Sequence, residues 1–142
     1  MLERDLILKM VQDLARVLAR VLGLRKQGMT PEAVAEVETA AASLIGLDLK
    51  VVTALDAGVI AKQLVAPERI GGLARVVWAR ADLAADAADL GEPLWRRKAV
   101  ELWLEAAAAG ETLDDEALRA IASHPAADLG PRQQRLREAL TG

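Results

Sequence analysis

The 142-residue sequence contains no cysteine, no phenylalanine and no tyrosine. Without cysteine the chain cannot form disulfides, thiolate metal sites or thiol nucleophiles. Only one histidine is present, and three tryptophans supply all the aromatic side chains. Neither sign of charge dominates, since 18 basic and 21 acidic residues give a net charge of −3 and alternate along the chain. Nucleic acid is therefore not an expected partner.

Strand-like alternation and long uncharged apolar runs are also missing. Charged residues interrupt the apolar N-terminus, which therefore lacks both the core of a signal peptide and the run of about 20 apolar residues that spans a bilayer. We expect a cytoplasmic protein with no membrane contact. The length suits a single domain, residues 1–142, with candidate sub-halves 1–66 and 67–142.

Two junctions with helix-ending and helix-starting residues predict antiparallel helical hairpins. Gly28 can take the left-handed conformation that closes a helix, Thr30 can cap the next helix, and Pro31 fits its first turn. The segment Leu90–Pro93 has the same character. A hinge is expected between the halves, at Pro67–Gly72. The apolar spacing predicts an all-α fold of about six to eight helices, over residues 2–26, 31–45, two short helices within 48–65, 68–90, 93–109, 112–123 and from 131 onward.

The first of these helices has an unusually wide apolar face. One apolar stripe faces its hairpin partner, and a second stripe beside it includes Ile7, Val11 and Leu18. One neighbouring helix cannot cover both stripes, and an exposed apolar patch of that size usually marks an interface. These three residues are therefore the candidate self-association surface, and a homodimer is the predicted assembly. The alternative is that other helices cover the surplus and the first helix lies centrally in a monomer.

No catalytic, cofactor-binding or metal-binding residue is predicted. The single histidine, His124, precedes a proline at an expected helix end, where a loop or capping role is far commoner than catalysis. Four acidic residues at helical spacing could in principle bind Mg, Mn or Ca, but a second carboxylate-rich helix is lacking and a solvated acidic face is the favoured interpretation. These residues are Asp82, Asp86, Asp89 and Glu92.

The environment of three further residues can be predicted from their helical positions. Two of them, Arg80 and Trp78, allow two interpretations each. Arg80 lies among apolar positions, so it either extends its charge to solvent or pairs with a carboxylate. Trp78 lies on the other side of the same helix and is either packed between hairpins or exposed as an anchor for a partner. Glu105 belongs to a strip of charges expected to face solvent.

The segment Gly28–Ile45 resembles the turn and second helix of a divergent tetratricopeptide repeat. Gly28 stands at the turn, Ala33 and Ala40 at small positions, and Val37 at the bulky apolar position between them. The N-terminal half also resembles an uncharacterised bacterial family of this helical type, through Arg4-Asp5, Leu22-Gly23-Leu24 and Leu47-Asp48. The repeat resemblance implies stacked hairpins with a groove that binds or scaffolds another protein.

The predicted function is accordingly a non-catalytic module that binds a peptide or a partner helix. A structural homo-oligomer that associates through the first helix is one alternative, and a carboxylate metal-dependent enzyme is another, disfavoured one. The candidate partner-binding residues are Lys9, Gln12, Arg16, Arg20, Trp78 and Asp82.

Overall fold

A computed structural model describes residues 2–141 of the chain. Within that range every regular element is helical, which confirms the all-α prediction. A π-helical turn at Ala41–Ile45 follows the second α-helix, and a 3₁₀ turn at Ala126–Asp128 precedes the last one. The eight α-helices of the described residues are α1 (Leu2–Lys26), α2 (Thr30–Ala40), α3 (Leu49–Ala54), α4 (Ala57–Leu64), α5 (Pro67–Asp86), α6 (Glu92–Ala108), α7 (Asp115–Ser123) and α8 (Pro131–Thr141).

The first junction joins α1 and α2 as an antiparallel hairpin. Gly28 has φ +73°, and the N–H of Met29 donates to the carbonyl oxygen of Leu24 at 2.9 Å, so α1 closes through a left-handed glycine as the sequence predicts. The expected cap at Thr30 is wrong. Thr30 is already the first helical residue, and Met29, whose side chain makes no capping hydrogen bond, occupies the N-cap position.

The second helix is shorter than predicted. It ends at Ala40, and the last five residues of the predicted range 31–45 form the π-helical turn, which stops at Gly46 with φ +91°. This wider turn buries both Ala41 and Ile45. Arg69 donates through Nη2 to the carbonyl oxygen of Ile45 at 2.6 Å, which satisfies a group that the helix end leaves free.

Two short helices fill the segment between the hairpins, as predicted. Asp48 caps α3 by accepting from the N–H of Lys50 at 2.8 Å, and Asp56 caps α4 by accepting from Gly58 at 3.2 Å. Aspartate is a favoured N-cap because its carboxylate accepts from the unpaired N–H groups of the first turn. Their apolar sides are buried against the rest of the chain.

The helix α5 lies at the centre of the molecule and packs against α1, α2, α4 and α6. The hinge expected at Pro67–Gly72 is wrong, because Pro67 starts α5 and the two glycines are buried inside it. Their small size explains the position. A Cβ atom on Gly72 would lie 3.1 Å from Cδ2 of Leu14, so the glycine lets α1 approach α5 closely.

The helix α6 forms the second hairpin with α5, and α7 and α8 pack on it. Trp103 of α6 is buried, and its ring centroid lies 5.4 Å from that of Trp78. The helix predicted at 112–123 starts later, as α7 at Asp115, and the Asp114 carboxylate caps it by accepting from the N–H of Ala117. Leu118 of α7 is 40% exposed.

None of the helices described here is both long enough and apolar enough to cross a membrane.

Candidate functional site

A groove runs along the outer side of α1. Its first section has a volume of about 570 Å³ and its second about 230 Å³, and the two adjoin because Leu18 and Arg75 line both. One wall extends from Leu8 to Leu22 of α1, which at 1.5 Å per residue is about 21 Å of helix. That length corresponds to about four helical turns. The α1 side chains that line the groove are mainly apolar: Leu8, Val11, Leu14, Ala15, Leu18, Val21, Leu22 and Arg25.

The floor and the opposite wall come from the second hairpin and the segment after it. Gly71 and Gly72 of α5 line the floor together with Trp103 of α6. Because the two glycines have no side chains, they leave the floor of the groove open. The opposite wall is the turn from Glu111 to Asp114 together with Glu116 of α7. The groove therefore has one apolar wall, a floor of small and aromatic residues, and one polar wall.

The charge left over on the polar wall is negative. Arg75 forms an ion pair with Asp114, and Arg4 forms one with Glu68, so these charges largely cancel. Glu111 is half-buried, and among the described residues no cation lies within ion-pair distance of its carboxylate. Burial raises the pKa of Glu111, and the nearby carboxylate of Glu68 raises it further.

The acidic residues predicted as a solvated face or a cation site are instead held by arginines. At the C-terminal end of α1, Arg25 contacts Asp86 at 2.8 Å and Asp82 at 3.4 Å. From α6, Arg96 contacts Asp82 at 2.8 Å and Glu92 at 3.0 Å. The hydrogen bond from Arg25 lowers the pKa of Asp86. These pairs connect three helices, and Asp86 and Asp89 stay exposed, so the face is both solvated and held by ion pairs between helices.

The described part of the chain holds no group of three or more histidine, aspartate or glutamate side chains arranged to bind a metal ion. Asp89, the remaining member of the predicted acidic set, accepts from the backbone N–H of Gly91 at 2.7 Å and supports the turn between α5 and α6. His124 occupies the C-cap position just after α7, and its Nε2 lies 2.8 Å from Oδ2 of Asp128 in the following 3₁₀ turn.

The two unusual residues of α5 are both engaged by aromatic stacking. Trp78 packs on Trp103 inside the molecule, and the guanidinium of Arg96 lies 4.3 Å from the centroid of its ring. Arg80 lies over the ring of Trp95 at 5.1 Å. Such cation–π contacts stabilise a partly buried arginine without a carboxylate. Trp78 keeps one part at the groove, so the packed interpretation describes most of this side chain.

The predicted partner-binding residues fall into two separate groups. Trp78 and Asp82 line the second section of the groove. The other four are exposed on another side of α1 and do not line either section, and three of them are paired with acids: Lys9 and Arg16 with Asp13, and Arg20 with Glu36. The fourth residue of the α1 group is Gln12. Only two of the six predicted residues therefore lie together in the groove.

The three predicted self-association residues also divide. Val11 and Leu18 line the first section of the groove, whereas Ile7 lines a different cavity between α1 and the end of α4. Sequence reasoning missed Glu111 and the floor glycines. Their place at the groove depends on how α5 and the turn after α6 lie against α1, and helical spacing carries no information about that packing.

Glu105 is the clearest correction among the charged residues. It was expected to face solvent, but its side chain is only 3% exposed. Arg132 of α8 binds both carboxylate oxygens, at 2.8 and 2.7 Å, and Gln133 donates to it at 2.7 Å. Burial by itself would raise the pKa of Glu105, but the hydrogen bonds from Arg132 and Gln133 outweigh it and the pKa is lowered. This cluster fastens α8 to α6.

No family model matched the chain, and neither the curated proteins nor the solved structures gave a match.

Proposed function

We propose that the protein is a non-catalytic interaction module of the cytoplasm that binds an amphipathic helix of a partner protein in the groove along α1. The observation that carries the proposal is the groove itself, about four helical turns long and apolar on its α1 wall. An amphipathic helix binds in such a groove through residues spaced three or four apart. The tetratricopeptide-like hairpins expected from the sequence agree with this mode of binding.

The charge of the far wall specifies the partner further. Glu111 and Glu116 are its acidic residues without an ion pair among the described residues, while the arginines that line the groove are paired with acids. A partner helix with lysine or arginine along one flank would complement this wall, and a helix with an acidic flank would be repelled.

The proposal can be tested by selecting peptides that bind the unmodified protein from a displayed library of random helical peptides. The selected peptides should carry an apolar stripe at helical spacing and a basic flank. Their binding should be lost in Val11→Glu, because that change places a charge on the apolar wall. The matched control is Val51→Glu on α3, since Val11 and Val51 are both 42% exposed. Equal binding to both variants would contradict the proposed groove.

A further inference from the structure

The outward side of α1 has the spacing of a helix-pairing surface. Its apolar residues follow each other at intervals of three and four, as in a heptad repeat, and they leave a substantial part of their surface in solvent. The inward side has its own set of apolar residues at the same spacing, and these face α2 and α5. The outward residues, which we call the outer stripe, are Leu8, Val11, Ala15, Leu18 and Leu22.

One flank of the outer stripe has opposite charges at its two ends. Asp5, Gln12, Ala19 and Lys26 are seven residues apart and therefore lie along the same side of α1. Within residues 2–141, Asp5 and Lys26 have no ion-pair partner, whereas Arg4 and Arg25 nearby are bound to acids of α5. The flank is thus acidic at its beginning and basic at its end.

We propose that a second copy of this chain packs its α1 antiparallel against the outer stripe. In an antiparallel pair that keeps heptad layers, Val11 lies opposite Leu22 of the second copy, and Ala15 lies opposite Leu18 of the second copy. The small alanine then receives the large leucine, as close packing requires. The same alignment places Asp5 beside Lys26 of the second copy.

Two-fold symmetry makes each of these contacts occur twice, so two ion pairs form at the ends of the interface. A parallel pair would instead place the two copies of this flank on opposite sides of the interface, where Lys26 faces Val21 of the second copy, so neither ion pair would form. Antiparallel packing also brings opposite ends of the helix dipoles together. The charge arrangement therefore selects the antiparallel dimer.

This inference does not rest on the proposed partner helix. Both occupants use Val11 and Leu18, so a second copy and a partner helix exclude each other. Peptide binding and self-association are measured separately, and either can fail while the other holds. If both hold, adding a selected peptide should convert dimer to monomer.

Sedimentation velocity of the unmodified protein from low to high micromolar concentration is the first test. The expected result is a concentration-dependent dimer, which Val11→Glu abolishes and the matched Val51→Glu leaves unchanged. Circular dichroism of both variants checks that the helices remain. A protein that is monomeric throughout this range, or a dimer that survives Val11→Glu in the folded variant, overturns the proposal.

Charge exchange tests the direction of the helices. Asp5→Lys and Lys26→Asp should each weaken the dimer, by about two- to thirtyfold in Kd for two exposed ion pairs. The double variant should recover the original Kd, because each pair is restored with its signs reversed. If the double variant dimerises no better than either single variant, the antiparallel alignment is wrong.

Discussion

The two longest helices, α1 and α5, both carry apolar residues on most of their sides. Neighbouring helices bury all the apolar sides of α5, but they leave one apolar side of α1 exposed. From Ile70 to Val77 every residue of α5 except Arg75 is buried, whereas α1 buries only three residues over its whole length. The difference follows from side-chain size. Gly71, Gly72 and several alanines let neighbours approach α5 from every direction, while α1 presents leucine and valine on its outer side. In this chain, the presence of small residues indicates the central helix better than the width of the apolar face does.

The strongest test of this contrast compares the same truncation in the two helices. Leu73→Ala in α5 removes a side chain that is 0% exposed and should lower the free energy of unfolding by about 2–5 kcal/mol. Leu8→Ala in α1 should cost the monomer less than about 1 kcal/mol, because that leucine is 45% exposed in the single chain. Urea denaturation measures both. Equal losses would mean that α1 is as enclosed as α5.

This contrast also indicates what the sequence could and could not predict. The limits of α1, the left-handed turn at Gly28, and the start of α8 at Pro131 follow from local rules that depend on a few neighbouring residues. These predictions are correct. The hinge at Pro67–Gly72 is wrong because a Gly-Gly pair near a proline is equally compatible with a tight helix crossing, and only tertiary packing decides between them.

The candidate site was predictable on its apolar α1 wall and at Trp78 and Asp82 of α5, but not on its far wall. Val11 and Leu18 could be predicted from helical spacing, because the number of apolar positions around a helix, and so the width of its apolar face, can be read from the sequence. Glu105 and Glu111 could not be placed, since their burial depends on α8 and on the turn after α6. A charge at a helical surface position becomes buried only when a distant segment covers it.

A buried charge sharpens the comparison, because α8 covers Glu105 of α6, whereas none of the acidic residues of α1 is buried. Glu105→Ala should lower the free energy of unfolding at neutral pH by about 2–3 kcal/mol, since it removes the partner of Arg132 and Gln133. Glu101→Ala is the control on the same helix, where the half-buried acid pairs with Lys98 at 3.6 Å. Its loss should be below about 1 kcal/mol.

The sign of the pH dependence follows from the lowered pKa of Glu105. The ionised form stabilises the fold above the unfolded-state pKa near 4.5, and this stabilisation is lost as the pH falls through the lower folded-state pKa. The difference between the unmodified protein and Glu105→Ala should therefore shrink in urea denaturation at pH 3. A constant difference across that range would contradict the ionised cluster.

The arginine network at the end of α1 offers a smaller effect. Asp82→Asn together with Asp86→Asn should lower the free energy of unfolding by about 1–2 kcal/mol, because Arg25 loses both of its acidic partners and Arg96 loses one of two. Hydrogen exchange should become faster in the second half of α1 while α5 and α6 stay protected. Asp115→Asn, in the first turn of α7, is an exposed control. Unchanged exchange in α1 would show that apolar packing alone holds this end.

The smallest expected effect has the opposite sign and lies in the groove between the two compared helices. Burial and the neighbouring Glu68 raise the pKa of Glu111, so ionisation of Glu111 at neutral pH destabilises the folded chain. Stability from this group is fully present below the unfolded-state pKa near 4.5 and is lost as the pH rises through the folded-state pKa. Glu111→Gln should therefore raise the Tm at pH 7, with a gain of less than about 1 kcal/mol in the free energy of unfolding. This gain should vanish near pH 4. Glu116→Gln on the same wall should instead lower the Tm slightly, because an acid in the first turn of α7 favours the helix. A lower Tm for Glu111→Gln at pH 7 would mean that its charge has a cationic partner, and the negative wall proposed to attract a basic helix would then be neutral.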